Sequence, residues 1–396
     1  MQNNILVHRG VYGLSFHQTH SSETMTNIRS VRSRGDLKQF IKHPFEKYRS
    51  DPHWVPPLLI DERQKFNPKK NPFYEHARME LFLAERNGEV LGRVATIDDD
   101  LHNRTHGDNT AFFGFFEASD QATAEALLAH VEGWAQRLER DSVRGPMNPS
   151  LNEGAGFQID AFGTDPFLMM PYNPSEYPRY VEAAGYRKVK DLYAWMFDTS
   201  WGAPERISRL AQRVRQRHDD LVIRPANMKR FRAELETLKR IYSEEAWGET
   251  WGFVSYTDAE FDRLASELRL IADPDIVLFA ELGGQTAGVA VGLPDANQLF
   301  KRMRGRLLPF GVFHFLNRKR IIDQMRLPIL GLMPEYRNKG FDLVLMHEIY
   351  ERGMAKGYKR CECSWVLEDN QAINHAIEVG GAKVYKTYRI YQKDIS

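Results

Sequence analysis

Cysteine is nearly missing from the 396-residue sequence, which holds only Cys361 and Cys363. Two apart on one strand, they point to the same face with poor geometry for a bridge, so a disulfide framework is excluded and a reducing, cytoplasmic setting is expected. Long apolar runs are missing too. No stretch approaches the ~20 residues that cross a bilayer, and the N-terminus lacks the apolar centre of a secretory signal. Neither sign of charge is in excess: 54 Lys and Arg stand against 53 Asp and Glu, a net +1, so no global field draws the chain to nucleic acid or a membrane. Signatures of other chemistries are also missing. No Cys/His cluster has zinc spacing, no G-x-G-x-x-G follows a strand and no G-x-S-x-G elbow occurs, which argues against metal and nucleotide-redox chemistry. What is left, 42% hydrophobic and 27% charged, is an ordinary globular composition long enough for two or three domains.

Residues 1–24 show neither helical nor strand period and read as a disordered leader. From Met25 onward one pattern is stated twice. In the first half a basic strand (26–33), a helix (36–48) and two strands joined by a short turn (79–97) lead to a third strand (109–118) and an amphipathic helix (121–140). A strand at Val143, a long loop, a helix near 177–184 and the strand 188–198 close that unit. The second half runs through a strand at Leu221, helices over 232–247 and 258–272, the strand pair 276–293, the strand 326–333, a helix from 341, the strand 360–367, a helix over 371–379 and the strand 382–393. Each half therefore alternates strands with helices as an α/β unit with a mixed sheet. The expected division is 25–200 and 221–396 with a linker helix over 201–220.

Ahead of the helix at 341 stands Arg337-Asn338-Lys339-Gly340-Phe341-Asp342. Free N–H groups and the positive dipole end of a helix N-terminus bind diphosphates, a glycine lets the phosphate approach, and Arg337 and Lys339 add cations. The segment resembles the Q/R-x-x-G-x-G/A loop of GNAT acyltransferases, with Asp342 departing from the small residue of the pattern. That resemblance implies two tandem GNAT domains, with the donor, acyl-CoA or acetyl-CoA, held in the second half by Leu332, Met333, Arg337, Asn338, Lys339, Gly340, Phe341 and Asn370, and with backbone N–H groups at 331–333 facing the thioester. The helix tyrosine that protonates the leaving thiolate in many members is matched here by Ile377, so Tyr388 or Tyr391 is expected in that role. Glu362, a carboxylate inside an apolar strand, is the first candidate for the base, ahead of Glu368, Asp369 and His347; a structural ion pair would explain it as well.

The first half has no comparable phosphate loop. Its distinctive part is the Asn-, Pro- and Gly-rich stretch 144–174, a long loop of the kind that carries function. Asn148, Asn152, Glu153, Tyr172 and Asn173 are expected to line the acceptor site, joined by Asp160, with Phe167, Met169 and Met170 as walls. The second half carries an insertion, 295–326, whose aromatic centre (Phe310, Phe313, Phe315) lies between Lys301, Arg302, Arg304 and Arg306 and the trio Arg318, Lys319 and Arg320. It suits a hairpin lying in an anionic membrane interface over 300–320, or a helix covering the junction of the halves. WVPPL at 54–58, NPKKNPF at 67–73, MMPYNP at 169–174, LPFG at 308–311, WVLEDN at 365–370 and KTYRIY at 386–391 are similar to a bacterial family of tandem GNAT-like proteins that includes ceramide synthases. This implies acyl transfer to a primary amine, including long-chain lipid amines, at the inner membrane surface. A small-molecule N-acetyltransferase and a non-catalytic GNAT-like binding protein remain open from the sequence, as does the oligomeric state.

Overall fold

Among the described residues thirteen strands build one continuous mixed sheet. The computed structural model describes residues 25–395 other than 203–204, 243–246, 249 and 308–310; the expected leader and the 308–310 part of the insertion, with Phe310, lie outside the described residues. In chain order the strands are β1 (Asn27–Ser30), β2 (Ala77–Arg86), β3 (Glu89–Asp99), β4 (Thr110–Ala118), β5 (Ser142–Gly145), β6 (Phe157–Gln158), β7 (Arg187–Asp198), β8 (Leu221–Pro225), β9 (Val277–Leu282), β10 (Gln285–Pro294), β11 (Gln324–Leu332), β12 (Arg360–Leu367) and β13 (Lys383–Asp394). The two halves begin alike because their local signals are alike. Asn87-Gly88 and Gly283-Gly284 both sit at positive φ and close the β2–β3 and β9–β10 hairpins, the conformation a two-residue turn requires. β4 is buried on both faces along its whole length, as its unbroken apolar run demands.

Helices cover both faces. The helix Gln121–Arg137 starts where the Asp120 carboxylate accepts the Thr123 N–H, and it lays Leu127, Leu128, Val131 and Trp134 on the first half of the sheet. Its counterpart Phe341–Ala355 lays Phe341, Val344, Leu345 and Ile349 on the second half. The linker expected over 201–220 contains the helix Glu205–Arg217, which packs Ile207 and Ala211 inward. Two short helices, Leu59–Lys65 and Asp100–His106, have no counterpart in the sequence reading. The insertion, expected as an interfacial hairpin or a covering helix, holds among its described residues three short helices, Asn297–Met303, Gly311–Leu316 and Arg318–Ile321.

The closing strands depart most from expectation. Sequence order has β7 complete the first half and β13 the second, but the sheet runs β5-β13-β7-β12, so the last strand of each half lies on the other half's side. β13 pairs antiparallel with β5 and β7, while β7 pairs with β12. Tyr391 of β13 accordingly joins the core on one face of the first half, with Phe113, Phe157 and Tyr177. Ile390 and Tyr388 join the core on the other, with Phe40, Leu83 and Phe112.

Candidate active site

The site begins where two parallel strands part. β11 and β12 pair only from Gln324↔Arg360 to Leu327↔Cys363. Beyond that point Pro328, which has no N–H to give a ladder, follows, and the register of β11 on β10 slips between Val291 and Leu293. From there to Leu332 and Leu367 the strands splay. The Met333 N–H bonds to the Ala287 carbonyl at 3.0 Å, so by strand alternation the N–H groups of Leu332 and Leu330 face the gap.

The first half has the same parting and closes it. β4 and β5 pair from Thr110↔Ser142 to Phe112↔Arg144. The chain after β5 then fills the opening: the Met147 N–H donates to the Phe113 carbonyl at 2.8 Å and Asn148 Oδ1 accepts the Phe115 N–H at 2.6 Å. A Cβ on Gly114 would lie 1.6 Å from the Met147 oxygen. Backbone thus occupies the parting of β4 and β5, whereas the parting of β11 and β12 continues into a larger cleft.

That splay opens on a cleft of about 1440 Å³ with the solvent at its mouth included, walled by β11 and β12, roofed by the helices Phe231–Ile241 and Asp258–Leu268, and closed on the far side by residues 151–153 of the first half's loop. Asn152, Glu153, Met169 and Asn370 reach it. Asn152 is held by three contacts: its carbonyl accepts the Tyr256 hydroxyl at 3.0 Å, its Nδ2 donates to Val254 O at 2.5 Å and its Oδ1 lies 3.4 Å from the Tyr242 hydroxyl. Trp247 lies over Gly331, where a Cβ would approach its ring to 3.2 Å. Burial lifts the Glu153 carboxyl to about 7, against the pull of Lys65 and Arg263.

Behind β12 lies a sealed polar cluster. Glu362 has no exposed surface; its carboxylate accepts from Ser364 Oγ at 2.5 Å and from the Tyr385 hydroxyl. The Arg326 guanidinium is 3.9 Å from Glu362 Oε1 and donates to Ser364 Oγ (2.8 Å), Ser364 O (2.9 Å) and Leu168 O (2.9 Å). Arg326 and Ser364 line the cleft, whereas Glu362 does not. Burial pushes the phenols of Tyr385 and Tyr388 well up, and it pushes the Lys386 ammonium down. Both the Tyr388 hydroxyl and Lys386 Nζ lie buried without a hydrogen-bond partner. Asp295, which accepts the Leu168 and Asn297 N–H groups, is raised by burial to about 7.

The turn at 337–340 is open. Arg337, Asn338 and Lys339 are exposed, Asn338 and Gly340 take φ of 59° and 79°, and no side chain caps the helix that follows. Gly340 presses on the linker helix, where a Cβ would come within 2.8 Å of Val214. Phe341 is buried below the turn. Burial raises the Asp342 carboxyl, and the N–H groups of Leu343 and Asp342 itself oppose that rise. Asn370 caps the helix Gln371–Val379, its Oδ1 accepting the Ile373 N–H at 3.3 Å.

The other candidates lie elsewhere. Asn148 plugs the first splay. Tyr172 donates to Asp51 at 2.6 Å, and Asn173 accepts the Gln158 N–H at 2.7 Å; neither lines the cleft. Tyr391 donates to Glu182 at 2.9 Å, Glu368 and Asp369 pair with Lys188 and Lys190, and His347 lies 3.8 Å from Glu351. Sequence reasoning passed over Arg326, Ser364, Tyr242, Tyr256 and Trp247. A cation inside the apolar strand 326–333 was the available signal for the first, and the aromatic density of 242–256 for the last three.

No family model matches the chain. Its fold is that of a tandem GNAT protein: it superposes on a tandem GNAT protein from the clavulanic acid biosynthesis pathway with a TM-score of 0.52 at 13% identity, over 94% of this chain and 99% of that one. A GCN5-related N-acetyltransferase from Sphaerobacter thermophilus gives a TM-score of 0.50 at 15% identity over 93% and 96%. In sequence the chain is 35% identical over 381 residues to a bacterial ceramide synthase of Caulobacter vibrioides, covering 94% of this chain and 98% of that protein. It is 32% identical over 376 residues to the protein YghO of Escherichia coli, covering 93% and 95%. The chain belongs to this family of tandem GNAT-type N-acyltransferases.

Proposed function

We propose that the chain transfers an acyl group from acyl-CoA to the primary amine of a long-chain lipid of the sphingoid-base type. The observation that carries this reading is the contrast between the two splays, one plugged by its own backbone and the other open onto a large, mostly apolar cleft. In this reading the donor diphosphate meets the N–H groups and cations of the turn at 337–340, and the thioester lies along the free edge of β11. The N–H groups of Leu330 and Leu332 then stabilise the oxyanion. A neutral amine entering from the cleft forms the C–N bond, its proton passes to Glu153, and the C–S bond breaks to release coenzyme A. A carboxyl near 7 suits that task at neutral pH. Glu362, sealed from the cleft, positions Arg326 and Ser364, and Tyr388, whose buried hydroxyl has no hydrogen-bond partner, takes no part in this reading. The acceptor class rests on the name of the Caulobacter relative and on the apolar lining of the cleft.

The test incubates the protein with palmitoyl-CoA or acetyl-CoA and with sphinganine or small primary amines, and identifies amides by mass spectrometry. N-palmitoyl sphinganine is the expected product. Replacing Arg337 and Lys339 together by Ala is expected to weaken acyl-CoA binding by about tenfold or more through loss of two phosphate-facing cations. Wild-type protein that binds no acyl-CoA would sink the proposal.

A further inference from the structure

A second cavity lies on the helix side of the sheet, and its position at the apex of the splay indicates an occupant. It is a pocket open at one side, with about 590 Å³ of empty space when the solvent at its mouth is included, between β11, β12 and the helices Phe341–Ala355 and Gln371–Val379. Its walls are apolar and adaptable, with Met325, Met346, Ile349 and Tyr350 among them, while the polar groups Thr199, Lys359 and Arg360 also line it. Leu327, Cys363 and Ile377 line both this cavity and the cleft, so a partition of three side chains separates them. The same Leu327↔Cys363 pair ends the ladder where the strands part.

We infer that this cavity receives the alkyl chain of a long-chain acyl donor, an assignment that rests on the acyl-CoA reading above. A thioester lying along β11 has its acyl carbon at the apex of the splay, and a chain longer than a few carbons must leave that point. One way is the cleft, where the acceptor enters. The other passes Ile377 into an apolar space that no side chain of the described residues fills. Methionines on its wall suit a flexible chain, because an unbranched thioether side chain repacks around different shapes. An acetyl group would leave the space unused.

The test compares binding of palmitoyl-CoA and acetyl-CoA by calorimetry below the micellar range, with acyl transfer to sphinganine measured in parallel. Cys361→Trp fills the cavity from β12 without touching the cleft. Gly353→Leu fills it from the helix, where even a Cβ would approach Met325 Sδ to 3.1 Å. Wild type is expected to prefer palmitoyl-CoA by at least about tenfold, in keeping with burial of many methylenes. Both filling variants are expected to lose that preference and keep acetyl-CoA binding. Met346→Ala, which enlarges the space, is expected to shift the optimum to a longer chain, and it decides the matter if the filling variants do not fold. An unchanged chain-length profile in folded variants overturns the inference and leaves the acyltransferase reading standing. Wild type that binds neither thioester overturns the reading itself.

Discussion

At Glu153 two properties meet: the carboxyl reaches the cleft, and burial holds it near 7. A base is effective when ionised, so turnover is expected to rise with pH through about 7. Glu153→Gln should lower kcat by about 10²-fold and abolish that step in the pH–rate profile, measured at saturating acceptor. A variant with the wild-type profile would remove Glu153 from the chemistry. Arg326 makes a different kind of prediction. It is the cation beside a carboxylate with no exposure, and its own hydrogen bonds hold Ser364 and the carbonyl of Leu168. Arg326→Met leaves Glu362 buried without its countercharge and is expected to cost about 3–5 kcal/mol in urea unfolding. Adding Glu362→Gln should recover part of that loss, because the unpaired charge goes with it.

The roof of the cleft is tied down at the scale of elements. His76, just before β2, places Nδ1 3.0 Å from Asp99 at the end of β3 and Nε2 3.1 Å from Glu260 on the roof helix Asp258–Leu268. Burial disfavours the imidazolium, but the two carboxylates outweigh it and raise the ring to about 9. Because the folded value lies above the unfolded one near 6.5, the stabilisation is complete below about pH 6.5 and is lost as pH climbs through about 9. His76→Ala is expected to lower stability by about 1–2 kcal/mol at pH 6, after allowance for solvent screening, and to matter little above pH 9. Equal losses at both pH values would show that packing alone is at stake. The same tether spans the halves, so faster hydrogen exchange in 258–268 should accompany the substitution.

At the scale of the molecule the crossed strands make the halves inseparable. β13 supplies Tyr388, Ile390 and Tyr391, all fully buried, to the cores of the first half. Residues 25–200 expressed alone would lack that strand and expose the edge of β5, an aggregation-prone arrangement. They are expected to be insoluble or unfolded by circular dichroism, and a folded, monomeric fragment would contradict the account. The insertion adds a surface. Over 296–322 the sequence has seven cations and no Asp or Glu. Arg304, Arg306, Lys319 and Arg320 are exposed beside Leu307, Phe313 and Leu316, which are 41%, 64% and 69% accessible. The lipid acceptor proposed above would have to be drawn from a membrane, and among the described residues no helix is long and apolar enough to cross one. Each cation near an anionic surface contributes about 1 kcal/mol. The protein is therefore expected to sediment with anionic but not zwitterionic vesicles at low salt, and Glu at those four positions should abolish the binding. Sedimentation of the quadruple variant with anionic vesicles would refute the surface.

By itself the sequence determined most of the strands and the longer helices, and the turn ahead of the helix Phe341–Ala355. Those features are local: β12 (Arg360–Leu367) and the helix Gln371–Val379 lie where period and Asn370 put them. It did not determine which strand lies beside which. Backbone hydrogen bonds are the same for every residue, and a period of two tells which face is buried but not which neighbour covers the edge. Only the tertiary structure crossed β7 with β13, plugged the first splay with 146–148 and left the second open. It also decided between two carboxylates that the sequence shows as equals in charge. Glu362 stands out as an acid in an apolar strand, yet folding seals it behind Ser364, while Glu153, one of several polar residues in a long loop, is carried across from the other half to line the cleft.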